Sequence, residues 1–136
     1  MSGASCGVAG YMIVVNELAE IKLGSKVSRK DMAELYRRFG SRFAEAWRLV
    51  KEKSVKKYVF KPSGLVRWVV VGEGKEYLVY GDVGYCSCDD FFFAVMNNEA
   101  KACKHLIAHR IASALGLFDV FEEPDEMLPK LLEEWR

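Results

Sequence analysis

The sequence lacks a long hydrophobic run. The apolar stretch Val8–Val15 is interrupted by Gly10 and Tyr11, and it is far too short to span a bilayer. The start of the chain also lacks the basic segment and longer apolar stretch that are typical of a secretory signal. These absences predict a protein without membrane contact, in a reducing compartment where thiols stay free to bind metal.

The sequence also lacks a strong excess of charge of one sign. Its 20 Lys and Arg and 19 Asp and Glu residues give a net charge of +1, which does not favour a dedicated nucleic-acid binder. The charge is unevenly distributed, however. Residues 1–80 carry 15 basic and 8 acidic residues, a net +7, and residues 81–136 carry 5 and 11, a net −6. A basic half attracts phosphate, and an acidic half repels it or meets a basic protein partner.

Catalytic signatures are missing as well. No glycine loop of the Walker type occurs, so any ATP hydrolysis would have to come from a partner. No pairing of a nucleophile with a base stands out apart from the candidate metal ligands, and we expect no enzymatic activity. Internal repeats and low-complexity linkers are absent, and 136 residues suit a single domain, 1–136.

An N-terminal helical part is expected over residues 1–55. The segment from Val8 to Leu23 is ambiguous between a helix and a strand, and Cys6 is interpreted as a spare thiol. Ser28 and Asp31 suit a capping box at the start of the clearest helix, and Gly40 is expected to kink it. One buried stripe follows at helical spacing, formed by Met32, Leu35, Tyr36, Phe39, Phe43, Ala46, Trp47 and Val50.

Residues 56–116 are expected to hold β-hairpins and a short helical module. Lys57–Lys61, Val66–Val71 and Lys75–Tyr80 are rich in Val, Tyr, Trp and Phe, and turn residues separate them, which predicts three antiparallel strands. A short helix capped by Asp89-Asp90 and a helix from about Lys104 to Leu115 follow. Residues 117–136 are interpreted as an acidic C-terminal tail helix. The fold class is therefore α+β, with helices at both ends and a small antiparallel sheet between them.

Four potential metal ligands stand out in the second half. Cys86 and Cys88 form Cys-x-Cys, and Cys103 and His105 form Cys-x-His after fourteen further residues. Three thiols and an imidazole suit tetrahedral Zn²⁺ and leave no coordination position open for a substrate. Residues two apart face the same way in an extended segment but not in a helix, so Cys103 should precede the second helix, with His105 in its first turn. Stripping the metal is expected to unfold residues 86–115.

Other interpretations of these residues are weaker. A redox pair normally has the spacing Cys-x-x-Cys, which does not occur here. His109 lies four residues after His105 on the same helix face, and it could replace His105 as a ligand or serve as a capping or core residue. We favour the capping or core role.

At these residues the sequence resembles the SWIM-type zinc finger, whose pattern is Cys-x-Cys followed at variable distance by Cys-x-His. Within that family it is similar to the SWIM subunit of the Shu complex and its archaeal homologues, where the second pair extends to Cys-x-His-x-x-Ala, and Ala108 fills the last place. The resemblance covers about Tyr85–Leu115. It implies four zinc ligands (Cys86, Cys88, Cys103 and His105) and a small packing residue, Ala108, beside them, in a zinc-stabilised ββα-like SWIM module.

The same resemblance implies a function. SWIM proteins of this branch are non-enzymatic partners of a RecA-family recombinase paralogue and support homologous recombination and DNA repair. SWIM modules also occur in transposases, chromatin remodellers and ubiquitin ligases, usually within longer chains. The implied location is cytoplasmic and associated with the nucleoid, or nuclear in a eukaryote.

Two surfaces could carry such a function, and the sequence leaves both open. An apolar helix face in the tail could dock into a partner groove or pack on its own domain, with homodimerisation of the isolated chain as a further alternative; its residues are Met127, Leu128, Leu131, Leu132 and Trp135. A basic surface could bind DNA directly or be a solvated helix face; its residues are Arg37, Arg38, Arg42, Arg48, Lys51, Lys53, Lys56 and Lys57.

Overall fold

The structure is a computed structural model that describes residues 26–100 and 102–135. The interpretations of Cys6 and of residues 8–23 lie outside the described residues. Among the residues that are described, no helix has both the length and the apolar character needed to cross a membrane.

Two short helices open the described chain, α1 (Arg29–Phe39) and α2 (Ser41–Lys51). The predicted capping box is present at the start of α1: the Ser28 hydroxyl accepts from the Asp31 N–H, and the Asp31 carboxylate accepts from the Ser28 N–H. Gly40 separates the helices at φ 62° and ψ −137°, a conformation that glycine adopts without strain. The predicted kink is therefore a full break between two helices.

The predicted buried stripe of this helix pair is largely present. Leu35, Phe39, Phe43, Ala46 and Val50 belong to the main core, and Leu49 joins them. Tyr36 is 56% exposed, so its assignment to the stripe was wrong.

The sheet has five strands: β1 (Val55–Lys61), β2 (Val66–Val71), β3 (Glu76–Tyr80), β4 (Tyr85–Cys86) and β5 (Asp119–Pro124). Their order across the sheet is β4-β3-β2-β1-β5. The predicted hairpin strands are confirmed within two residues, because alternating apolar residues and strong turn signals are local features.

The fifth strand corrects the sequence analysis in two respects. Residues 119–124 form a strand, although the whole segment 117–136 was interpreted as a tail helix. Because β5 runs parallel to β1, the sheet is mixed and not purely antiparallel. The pairing depends on a tertiary contact that the local sequence does not reveal: the Phe121 ring stacks on Tyr58 with centroids 5.3 Å apart.

Helix α3 (Lys104–Leu115) lies at the centre of the fold and ends at Gly116 in the left-handed conformation, as predicted. It packs against α2 on one side and against the sheet on the other. Six of its residues are buried: His105, Leu106, Ile107, Ala108, Ile111 and Ala112.

The other face of the sheet is covered by the C-terminal helix α4 (Leu128–Glu134), which follows a 3-10 turn over Asp125–Met127. Trp135 is fully buried there against Tyr58, Phe60 and Val69. Its indole N–H donates to the Glu76 carboxylate at 2.8 Å. The sheet therefore lies between two helical layers.

Candidate metal centre

The four candidate ligands come from two parts of the fold. Cys86 ends β4, and Cys88 follows two residues later. Cys103 is the N-cap of α3 with extended backbone, and His105 lies in the first turn of that helix. This is the arrangement that the sequence predicted, and it follows from local geometry alone.

The ligand atoms converge on one point. The three thiols and one imidazole nitrogen all lie within 4.8 Å of one another, and all four residues are buried. A tetrahedral zinc site with Zn–S bonds of about 2.3 Å places neighbouring ligand atoms about 3.8 Å apart. The Cys86 Sγ and His105 Nδ1 atoms are 3.7 Å apart, which fits such a site. The cluster is therefore compatible with a closed, four-coordinate zinc ion.

The electrostatics of the cluster favour a cation. Hydrogen bonds from the Cys103 and Cys86 thiols, joined by the Phe91 backbone N–H, hold the pKa of Cys88 far below its ordinary value. Hydrogen bonding with Cys103 and Cys88 raises the pKa of Cys86, and burial raises that of Cys103. Cys88 is thus favoured as a thiolate while Cys86 and Cys103 stay neutral, and all three can be thiolates together only around a metal ion.

Close packing against Tyr77 and Gly72 holds His105 in place. The His105 imidazole stacks on Tyr77 with centroids 4.5 Å apart and an interplanar angle of 29°. Gly72 leaves room for both rings, since a Cβ there would lie 2.6 Å from the Tyr77 ring and 3.4 Å from His105 Nε2. The sequence analysis missed Tyr77 and Gly72, because only the folded hairpin brings them to the ligand.

The loop between the ligand pairs forms a π-helical turn over Phe91–Val95. The Phe91 N–H donates to Cys88 Sγ at 3.3 Å, which ties the turn to a ligand. Asp90 does not cap the turn through its side chain. Its carboxylate instead accepts two hydrogen bonds from Arg42, at 2.9 and 2.8 Å, and this pairing raises the pKa of Arg42.

His109 lies apart from the cluster. Its ring packs edge-on against Trp68, with centroids 4.6 Å apart, and burial lowers its pKa to about 4. Nε2 of His109 is buried without a hydrogen-bond partner among the described residues. Of the preferred capping or core roles, the core role agrees with this environment.

The structure also places the two surfaces that the sequence left open. The apolar tail residues face the chain's own sheet: Trp135 is fully buried, and Leu128, Leu131 and Leu132 pack around it. Met127 lies in the preceding turn and is half-buried, and Ala108 is fully buried in the main core. These residues therefore do not form a free docking face.

Most of the basic candidates are engaged in ion pairs. Arg37 and Arg38 both pair with Glu34, Arg42 pairs with Asp90, Arg48 pairs with Glu52, and Lys56 approaches Glu76 at 3.9 Å. The hydrogen bonds from Arg37 and Arg38 hold the pKa of Glu34 at about 2. Lys57 lies over the Trp68 ring, and Lys51 and Lys53 are exposed at the end of α2. The basic residues do not form one free cationic stripe.

The fold and cluster define an α+β protein with a buried Cys3His site of the SWIM type. It is similar to known proteins called zinc finger SWIM domain-containing protein 7 or its homologue. The Danio rerio protein is 34% identical over 96 residues, covering 69% of this chain and 68% of that protein. The Dictyostelium discoideum homologue is 33% identical over 103 residues, and the Homo sapiens protein is 28% identical over 126 residues.

The chain belongs to the zinc finger SWIM domain-containing protein 7 family. The match covers 73% of this chain but 65% of the Dictyostelium protein, just under two thirds of its length. For the human protein the shares are 88% and 89%. No family model matches the sequence, and no solved structure matches it either.

Proposed function

We propose that this protein is a non-catalytic zinc-binding adaptor that pairs with a RecA-family recombinase paralogue in homologous recombination and DNA repair. It would act in the cytoplasm beside the nucleoid, or in the nucleus of a eukaryote. The observation that carries the proposal is the buried Cys3His cluster: Cys86, Cys88, Cys103 and His105 supply four ligands, which fill a tetrahedral zinc site. Such a site stabilises a fold and supplies no activated water.

The assignment of a recombinase partner rests on the SWIM resemblance, and the charge distribution supports a protein partner. The half of the sequence that contains the cluster is acidic, and three thiolates around Zn²⁺ add a further net charge of −1. An acidic surface repels phosphate and attracts a basic protein. The zinc-binding half is therefore better suited to a protein than to DNA.

Two measurements test the proposal. Metal analysis of the purified chain is expected to give one zinc per molecule, and each ligand variant is expected to lose it. Co-expression with each RecA-family paralogue encoded by the source organism should yield a stable complex with one of them. A purified chain that is folded but contains no zinc would contradict the zinc-binding part of the proposal. A chain that binds none of the paralogues would contradict the adaptor part. Light scattering on the isolated chain distinguishes a homodimer from a monomer.

Direct DNA binding is the second candidate function. The observation that favours it is the exposure of Lys51 and Lys53, with Lys57 beside an aromatic ring. Three phosphate contacts would give log K a slope of about −3 against log salt. We expect the variant Lys51→Gln/Lys53→Gln to make that slope less steep. The control Arg37→Gln should change the slope less, because the Arg37 charge is already paired with Glu34. No measurable DNA binding at low salt would leave only the adaptor function.

A further inference from the structure

The loop between the ligand pairs exposes three large apolar side chains. Phe92 and Phe93 are 66% and 65% exposed, with their rings 5.7 Å apart, and Met96 is 40% exposed. Met96 directly follows the turn, four residues after Phe92 and three after Phe93, a spacing that brings side chains to the same side of a helix. We call these three residues the aromatic tip.

The backbone that carries the aromatic tip is held from within the fold. Phe91 and Val95 on the same turn point into the core and are almost fully buried. The Phe91 N–H donates to Cys88 Sγ, and the Asn97 amide donates to the Phe93 carbonyl at 2.8 Å. The two outward rings are therefore presented on a constrained turn and not on a free loop, which lowers the entropic cost of binding a partner.

The exposure of the aromatic tip is not needed for the fold. Trp135, by contrast, is fully buried between the C-terminal helix and the sheet. Two adjacent phenylalanines left two-thirds exposed are unusual for a soluble protein and are typical of an interaction site.

Charge near the aromatic tip indicates what covers it. Residues 89–101 contain three carboxylates, from Asp89, Asp90 and Glu99, and one basic residue, Lys101. Arg42 pairs with Asp90, but Asp89 and Glu99 are exposed and border the tip in sequence. A second copy of the chain docking tip to tip would bring like charges together. A partner with basic residues would bring opposite charges together.

We propose that the aromatic tip is a docking site for a protein partner whose surface has an apolar pocket bordered by Lys or Arg residues. The proposal rests on the adaptor function proposed above and names the surface that performs it. A bound metal would help to present the site, because Cys88 lies three residues before Phe91 and accepts a hydrogen bond from the Phe91 N–H.

Affinity measurements with the full chain and the recombinase paralogue test the site. The variant Phe92→Ser/Phe93→Ser should keep its zinc and thermal stability, because both rings are exposed, but bind the paralogue about 100-fold more weakly. Val120→Ser is the matched control, since Val120 is 56% exposed on β5, away from the metal loop. Equal affinity of the double variant and the wild type would overturn the docking site while leaving the adaptor function intact.

A second arm does not depend on the paralogue. A photo-crosslinking amino acid at position 92 of the full-length chain, expressed in the source organism, should give one dominant adduct that the same label at position 120 does not give. Mass spectrometry should place the adduct beside Lys or Arg residues of a different protein. An adduct with a second copy of this chain, or no adduct specific to position 92, would refute the proposal even if the paralogue does not bind.

The variant Glu99→Lys tests whether basic residues border the partner's pocket. It should weaken binding to the paralogue about tenfold, and unchanged affinity would refute the basic border.

Discussion

Removal of zinc should unfold the whole described domain and not only the metal loop. Structural zinc contributes on the order of 10 kcal/mol to small zinc domains at neutral pH, whereas a domain of this size has a net stability of about 5–15 kcal/mol. The structure decides how far the effect spreads. Cys103 is the N-cap of α3, and this helix buries six residues between α2 and the sheet, so unfolding of α3 would expose the apolar faces of both. Unfolding confined to residues 86–115, as the sequence suggested, would leave the apolar surface of α2 and of the sheet exposed to water.

The three tryptophans provide a separate reporter for each layer. Trp47 lies on α2, Trp68 packs against His109 and Phe118 beside α3, and Trp135 is buried under α4. Protein labelled with 5-fluorotryptophan should give three fluorine resonances, and titration with a zinc chelator should shift all three to the unfolded position at one chelator concentration. Chelator already saturated with zinc is the control, and adding zinc back should restore the spectrum.

Two results would refute this reasoning in different ways. If only the Trp68 resonance moves, α2 and α4 stay folded without α3, and the unfolding is local. If none of the three moves while metal analysis shows that zinc has left, the cluster does not contribute to folding. The variant Cys103→Ser should reproduce the result of the chelator without any added reagent.

Three further substitutions test individual contacts. Trp135→Ala should lower the free energy of unfolding by about 3–5 kcal/mol in urea titrations, because the indole is fully buried and donates to Glu76; a loss below 1 kcal/mol would mean that α4 does not cover the sheet. His109→Phe, measured with excess zinc, should lose about 2 kcal/mol less stability than the wild type between pH 7.5 and 5. The pKa of His109 is lowered from an ordinary 6.5 to about 4, so the unfolded chain takes up the proton first as pH falls through this window; equal losses would contradict the buried neutral imidazole. Gly81→Ala should cost about 1–3 kcal/mol, because its Cβ would lie 2.4 Å from the His109 ring; in a His109→Ala background the Gly81 substitution should cost no stability, whereas free-energy losses of the two substitutions that simply add would argue against a contact between Cβ of residue 81 and the His109 ring.

The parts of the fold that the sequence predicted are those with local causes. The capping box needs only Ser28 and Asp31, three residues apart, and the hairpin strands need only alternation and turn residues. The ligand set was also readable, because Cys86 and Cys88 are close in sequence and the backbone around Cys103 must change from extended to helical before His105. In each case neighbouring residues carry the information.

The parts that the sequence did not predict depend on distant contacts. Strand β5 contains only two large apolar residues, Val120 and Phe121, among acidic ones, and its structure comes from pairing with β1. Arg42 looked like a free cation on a helix, yet its partner Asp90 lies 48 residues away. Neither pairing leaves a periodic signal, so local propensity favoured a solvated helix face and an acidic tail.

The position of the cluster explains how a loop with little core of its own can present two exposed aromatic rings. One ligand pair lies at the sheet edge and the other at the start of the central helix, so a bound metal would close residues 89–102 into a loop with both ends fixed. Closing the loop in this way removes much of its conformational entropy in advance. Phe91 and Val95 then suffice to orient the turn, which leaves Phe92 and Phe93 directed outward. In the proposed function, a bound metal would therefore act through the shape of the loop.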